Sequence, residues 1–179
     1  MLAALTKATP KVGAYPFTTI HPNLGVLEFP DLTRCVIADI PGLIEGAHHG
    51  AGLGHRFLRH VERTRLLVHL IGPPDSGENL DDVSHYLYAY DLVNAELKAY
   101  TQRLAAKPQI VCLTKLDLLT ETIVADIKQA FAERGIEILP ISAHDQLGLQ
   151  SLVARIQEEL GNLHTAEAVE LQPDDEPFF

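Results

Sequence analysis

The sequence predicts an α/β fold built on an open, largely parallel sheet, and three observations predict it. The runs "LLVHLIG", "QIVCLTK" and "IEILPIS" are short and nearly continuously apolar, as strands covered on both faces are. Stripes at helical spacing alternate with them, which is the order of a sheet with crossover helices. Polar residues follow the strands: Asp39, then "TKLD" at 114–117, then "SAHD" at 142–145. In open α/β sheets ligands collect at the carboxyl ends of strands, so these three clusters are the candidate site.

Each element has its own justification. "LGVLEF" and "RCVIADI" flank the turn residues Pro30 and Asp31, which predicts two neighbouring antiparallel strands. From Gly42 to Gly54 there are five glycines in thirteen residues, a density that lowers the cost of backbone rearrangement and lets main-chain N–H groups approach a ligand. After "LLVHLIG", Tyr86, Tyr90, Val93, Leu97, Tyr100 and Leu104 recur at helical spacing. After "QIVCLTK" come Ile123, Ile127, Ala130 and Phe131, and after "IEILPIS" come Leu149, Leu152, Val153, Ile156 and Leu160. All three stripes read as core. The segment 1–161 is therefore expected to be one domain, with 162–179 an acidic disordered tail: "AEAVELQPDDEPFF" carries five carboxylates, two prolines and no periodicity.

Composition limits the function classes. With 46% hydrophobic and 21% charged residues in 179, the chain can bury a sizeable core. No apolar run approaches the roughly 20 residues of a membrane helix, and "MLAALTKATPK" is too weakly apolar for a signal peptide, so a cytosolic location is the default. Cys35 and Cys112 sit in apolar runs without ligand spacing, which reads as buried reduced thiols. The net charge of −10 argues against a broad nucleic-acid surface. One local basic patch stands out: Arg56, Arg59, Arg63 and Arg65 with His55 and His60.

Guanine nucleotide binding is the chemistry that fits the three clusters. The Asp117 carboxylate can accept from the N1–H and exocyclic amine of guanine, a donor pair that adenine does not present. The stem of Lys115 can lie along the base, and the Ser142 and Ala143 backbone can donate to the guanine carbonyl. Thr18 or Thr19 offers a hydroxyl to Mg²⁺, a cation of hard oxygen ligands. Asp39 can hold a Mg²⁺-bound water, and the Gly42 N–H can meet a γ-phosphate. Competing motifs fail on spacing. Four histidines lie between Val36 and His60 without HExxH, and "GAGLGH" brings its third glycine one residue early for GxGxxG.

The blocks "YPFTTIHPNLG", "ADIPGLIEGAHHGAGLGHRFLRHVERTR", "LTKLD" and "ISA" resemble an Obg-family GTPase, in the family's order. The resemblance implies a Ras-like G domain of the P-loop NTPase class, binding GTP or GDP with Mg²⁺. It implies a monomer acting in the cytoplasm in large ribosomal subunit assembly. Its switch I would be Phe17, Thr18, Thr19, Ile20 and His21, with Thr19 the magnesium ligand. Switch II would begin at Asp39, Ile40, Pro41 and Gly42, with Asp39 also at the metal, and the glycine run would be ordered by a γ-phosphate. Base recognition would fall to Thr114, Lys115, Leu116 and Asp117 with Ser142, Ala143 and His144.

Departures from the family pattern shape the expectations. No GxxxxGK[ST] occurs, and "MLAALTKATPK" is similar to the latter part of the helix that follows a P-loop. The resemblance thus implies a truncated G domain without its first strand, its P-loop and the glycine-rich amino-terminal domain. The missing strand would leave a slot between the strand ending at Asp39 and the one beginning near Leu66, expected to stay open. Thr114 stands where the family has Asn, as in Rho-type GTPases, and Gly72 where an aspartate is frequent. Leu43 occupies the place of a water-orienting glutamine and cannot orient water. Glu45 and His48 or His49 are nearby polar groups on a solvated segment, and no general base is named. The competing reading is a remnant that binds ribosomal RNA or protein without nucleotide, through Arg56, Arg59 and Arg63 on one helix face.

Overall fold

The computed structural model describes residues 1–6, 23–39, 61–74, 76–77 and 79–170, the last five as backbone only. A short helix α1 (Leu2–Leu5) precedes a hairpin of β1 (Asn23–Glu28) and β2 (Arg34–Asp39). Then follow β3 (Leu67–Ile71), α2 (Val83–Tyr100), α3 (Gln102–Ala105), β4 (Gln109–Leu113), α4 (Glu121–Ala132), β5 (Ile138–Pro140) and α5 (Leu149–Glu170). Every strand expected from the apolar runs is present.

The strands form two sheets. β1 and β2 pair antiparallel with Val26 opposite Val36, closed by a turn in which Asp31 accepts from the Thr33 N–H and hydroxyl. β3, β4 and β5 pair parallel in that order, with β4 central. Among the described residues β2 and β3 are not paired with each other.

Alternation along β4 sorts the core into two layers, because successive side chains point to opposite faces. Ile110 and Cys112 join Leu27, Phe29, Ile141, Leu149, Leu152 and Ile156 on the α5 face, where Met1, Leu5, Cys35 and Ile37 also pack. The inner face of the hairpin therefore shares this core. Val111 and Leu113 join Ile71, Tyr86, Ile123, Ile127, Phe131 and Ile138 on the α2 and α4 face. Each such side chain taken fully out of water contributes roughly 1.5–3 kcal/mol. Burial pushes the Cys112 thiol up to about 12, as expected of an inert core cysteine, whereas Cys35 is only half-buried.

Two elements differ from the sequence reading. The stripe ending at Leu104 is not one helix: α2 stops at Tyr100, and Thr101 turns extended (φ −153°, ψ 147°). Its hydroxyl then caps α3 by accepting from the Leu104 N–H, and Leu104 is still delivered to a small core with Val61 and Leu97. A threonine that can cap a new helix competes with continuing the old one. The last helix does not stop at Gly161 but runs to Glu170, across residues assigned to the tail. One interior glycine costs only about 1 kcal/mol relative to Ala, and no proline intervenes before Pro173. Residues 171–179 lie outside the described residues.

Candidate guanine-recognition site

The site begins where β3, β4 and β5 end. Beyond Leu113 the ladder continues for one bond, the Thr114 N–H donating to the Ile71 carbonyl at 2.7 Å, and the Thr114 hydroxyl reaches the same oxygen at 3.2 Å. Thr114 thus ties the end of β4 to the end of β3. Gly72 makes room for it: a Cβ there would stand 2.9 Å from Thr114 Oγ1. A side chain at position 72 would therefore need Thr114 to shift.

Lys115 adopts a left-handed conformation (φ 55°, ψ 42°), costly for a side-chain-bearing residue by roughly 1–2 kcal/mol. The bonds around it hold it there: Leu116 N–H donates to the Ile141 carbonyl at 3.3 Å, and Leu118 N–H to the Lys115 carbonyl at 3.0 Å. This kink starts a single 3₁₀ turn (Leu116–Leu118) and sets Asp117 within it, beside the end of β5.

The Ser142 hydroxyl, fully buried, donates to Asp117 Oδ1 at 2.6 Å and accepts from the Asp145 N–H at 3.1 Å. The hydrogen bond from Ser142 holds the Asp117 carboxyl below its ordinary value, aided by the charges of His144 and Lys115. Asp117 is therefore an ionised acceptor at neutral pH. His144 is exposed and hydrogen-bonded to Asp145 at 2.8 Å, which raises its pKa above the usual value. The loop closes with Ser142 N–H donating to the Leu147 carbonyl at 3.0 Å, through positive φ at Gln146 (58°) and Gly148 (70°).

The structure thus brings Thr114, Lys115, Leu116 and Asp117 together with Ser142, Ala143 and His144. Asp39 stands exposed at the end of β2, on the other sheet, opposite Asn23 in register. Phe17, Thr18, Thr19, Ile20, His21, Ile40, Pro41 and Gly42 lie outside the described residues. The sequence reading missed the loop's far side, Gln146 to Gly148. A glycine immediately before a helical stripe was the available signal. Among the described residues no cluster of His, Cys, Asp or Glu forms a metal site, and no helix is long and apolar enough to cross a membrane.

Comparison with known proteins gives the family. A family model described as "50S ribosome-binding GTPase" matches residues 1–115. The chain is similar to the GTPase Obg of Aquifex aeolicus, 42% identical over 172 residues, covering 96% of this chain and 49% of that protein. It is similar to GTPase Obg of Desulfatibacillum aliphaticivorans, 50% identical over 161 residues, covering 89% of this chain and 46% of that protein. Against GTPase Obg of Myxococcus xanthus it is 44% identical over 160 residues, covering 89% of this chain and 32% of that protein. The chain therefore spans less than half the length of these relatives. With a family model covering most of the sequence, and relatives 42–50% identical over nearly all of it, the chain belongs to the Obg family of GTPases.

Proposed function

We propose that these 179 residues carry the base-reading part of a GTP-binding site in a protein that works on the large ribosomal subunit. The single observation that carries this reading is the 2.6 Å hydrogen bond from buried Ser142 to Asp117. It fixes a charged acceptor pair at the strand ends while leaving the outward lone pairs for the guanine N1–H and amine. Lys115 and the Ala143 N–H complete the base side; the Ser142 N–H, expected to share that role, is taken by the Leu147 carbonyl.

On the phosphate side, Asp39 is an exposed carboxylate, a donor of the kind Mg²⁺ takes directly or through water. Thr19 and Gly42 are proposed to join it, with Phe17, Thr18, Ile20, His21, Ile40 and Pro41 around them. Bound Mg²⁺ would neutralise phosphate charge. The 179 residues contain no GxxxxGK[ST], the source of charge-assisted phosphate contacts worth about 1.5–3 kcal/mol each. The chain by itself therefore holds GTP weakly and does not turn it over measurably.

Calorimetry at micromolar GTP with Mg²⁺ is expected to detect no binding. At millimolar nucleotide, amide shifts at Asp117, Ser142 and Ala143 should respond to GTP and GDP but not ATP, and Asp117→Asn should move the preference to xanthosine triphosphate. An equal response to ATP sinks the base-reading assignment. Co-sedimentation with large ribosomal subunits tests the partner. The absence of GxxxxGK[ST] also favours a second reading, attachment to the ribosome without nucleotide; co-sedimentation indifferent to GTP selects it.

A further inference from the structure

We propose that the amino-terminal end of the parallel sheet, remote from Asp117, is an RNA-binding surface formed by Arg63, Arg65, Lys98, Arg103 and Lys107, with phosphodiester backbone as its ligand. In a chain of net charge −10, segments 61–67 and 97–108 together carry these five cations and one carboxylate, Glu62. The fold fastens the two segments to each other. Leu67 N–H donates to the Pro108 carbonyl at 3.0 Å, and Lys107 Nζ donates to the carbonyls of Glu62, at 3.1 Å, and of Thr64.

Lys107 thereby acts as the staple, and the two segments that it joins carry the other four cations. Arg63, Arg65, Lys98 and Arg103 are exposed. Arg65 extends the surface onto α5 through its contact with His164 at 2.9 Å. Burial lowers the Lys107 pKa and the nearby Arg103 charge lowers it further, while Glu62 opposes them, so cations here are close enough to repel. An anionic partner relieves that repulsion. Three of the five are guanidinium groups, whose planar fork matches phosphate oxygens. The choice of RNA over an acidic protein rests on the ribosomal reading above; the surface itself does not.

The test measures binding of the whole chain to a mixed-sequence 24-base-pair RNA duplex by fluorescence anisotropy across a salt series. The combined variant Arg63→Glu, Lys98→Glu, Arg103→Glu leaves the staple intact. It should weaken binding at least about tenfold and flatten the salt slope by about one unit per lost phosphate contact. Arg63→Lys with Arg103→Lys should retain the slope, and Lys128→Glu, a charge change on α4, should leave binding unchanged. Undetectable binding by the parent chain overturns the proposal. So does an equal loss in Lys128→Glu, or competition by polyglutamate as effective as by RNA. Subunit co-sedimentation unaffected by the triple variant removes the surface but keeps the ribosomal reading. Duplex binding lost in the triple variant, with no co-sedimentation by the parent, keeps the surface and removes that reading.

Discussion

Gly148 shows how one backbone angle holds the loop that follows Ser142. At φ 70° it already favours glycine, and a Cβ would stand 2.4 Å from the Pro140 carbonyl, so something must shift. Gly135 has the same angle (71°) with open space where the Cβ would go. Gly135→Ala should cost about 1–2 kcal/mol, the left-handed penalty alone, and Gly148→Ala clearly more. Equal losses in urea melts would show that the contact with Pro140 relaxes freely. At the same loop, Ser142→Ala removes the donor that keeps Asp117 acidic. The depressed carboxyl contributes stability above its ordinary pKa and loses it as pH falls, so the variant should titrate Asp117 at higher pH. Carboxyl-carbon NMR reads this directly, and an unshifted titration would remove Ser142 as the cause. Asp117 and Ser142 were legible because their residue types at strand ends suit one chemistry. The left-handed Lys115 was not, since nothing in a lysine announces positive φ; bonds from the Thr114 and Leu116 N–H groups to the Ile71 and Ile141 carbonyls impose the local path.

At the scale of elements, the apolar runs located all five strands, whereas helix ends were less legible. Thr101 breaks a stripe that continues in sequence, because a cap is a local choice that hydrophobic spacing does not register. β3 carries the one polar side chain of a run read as nearly continuously apolar. His69 is buried on the α2 face with its ring stacked on Tyr90, centroids 5.4 Å apart, and burial lowers its pKa. The folded state thus refuses a proton that the unfolded chain takes up near pH 6.5, so unfolding free energy falls as pH drops through that value. His69→Phe keeps a ring against Tyr90 and should flatten the dependence between neutral and mildly acid pH. A variant with the same pH profile as the parent would assign the dependence to other groups. The caps are a second expectation: Thr120→Ala, which loses the hydroxyl accepting from Ile123 N–H, should cost about 1 kcal/mol in a thermal melt.

For the whole molecule, the division into two sheets decides how stability is distributed. β4 is paired on both sides and buried, while β2 has one paired edge and the hairpin's outer face leaves Leu24, Val26 and Val36 more than half exposed. Among the described residues the hairpin is joined to the rest by side chains of the α5-face core and not by a ladder. Native-state hydrogen exchange should therefore find β4 amides protected to the global limit and those of β1 and β2 opening at lower free energy. Matching protection throughout would show that hairpin and sheet unfold as one unit. The sequence suggested that β2 and β3 would not pair only through resemblance; hydropathy alone gives strands but not their neighbours.

The register of those sheets also sets an order of assembly. Pairing β1 with β2 closes a tight turn at Pro30 and Asp31, so it is local and quick, whereas Leu67 meets Gln109 only after α2 and α3 have been laid down between them. Closure entropy delays the distant pair, and parallel strands gain nothing until that crossover is complete. The chain is thus expected to form its hairpin in microseconds and its β3–β4 pairing in a later, rate-limiting step. During that interval Leu67, Val68 and Leu70 stand unpaired, which makes refolding at high protein concentration the condition most prone to strand exchange between molecules.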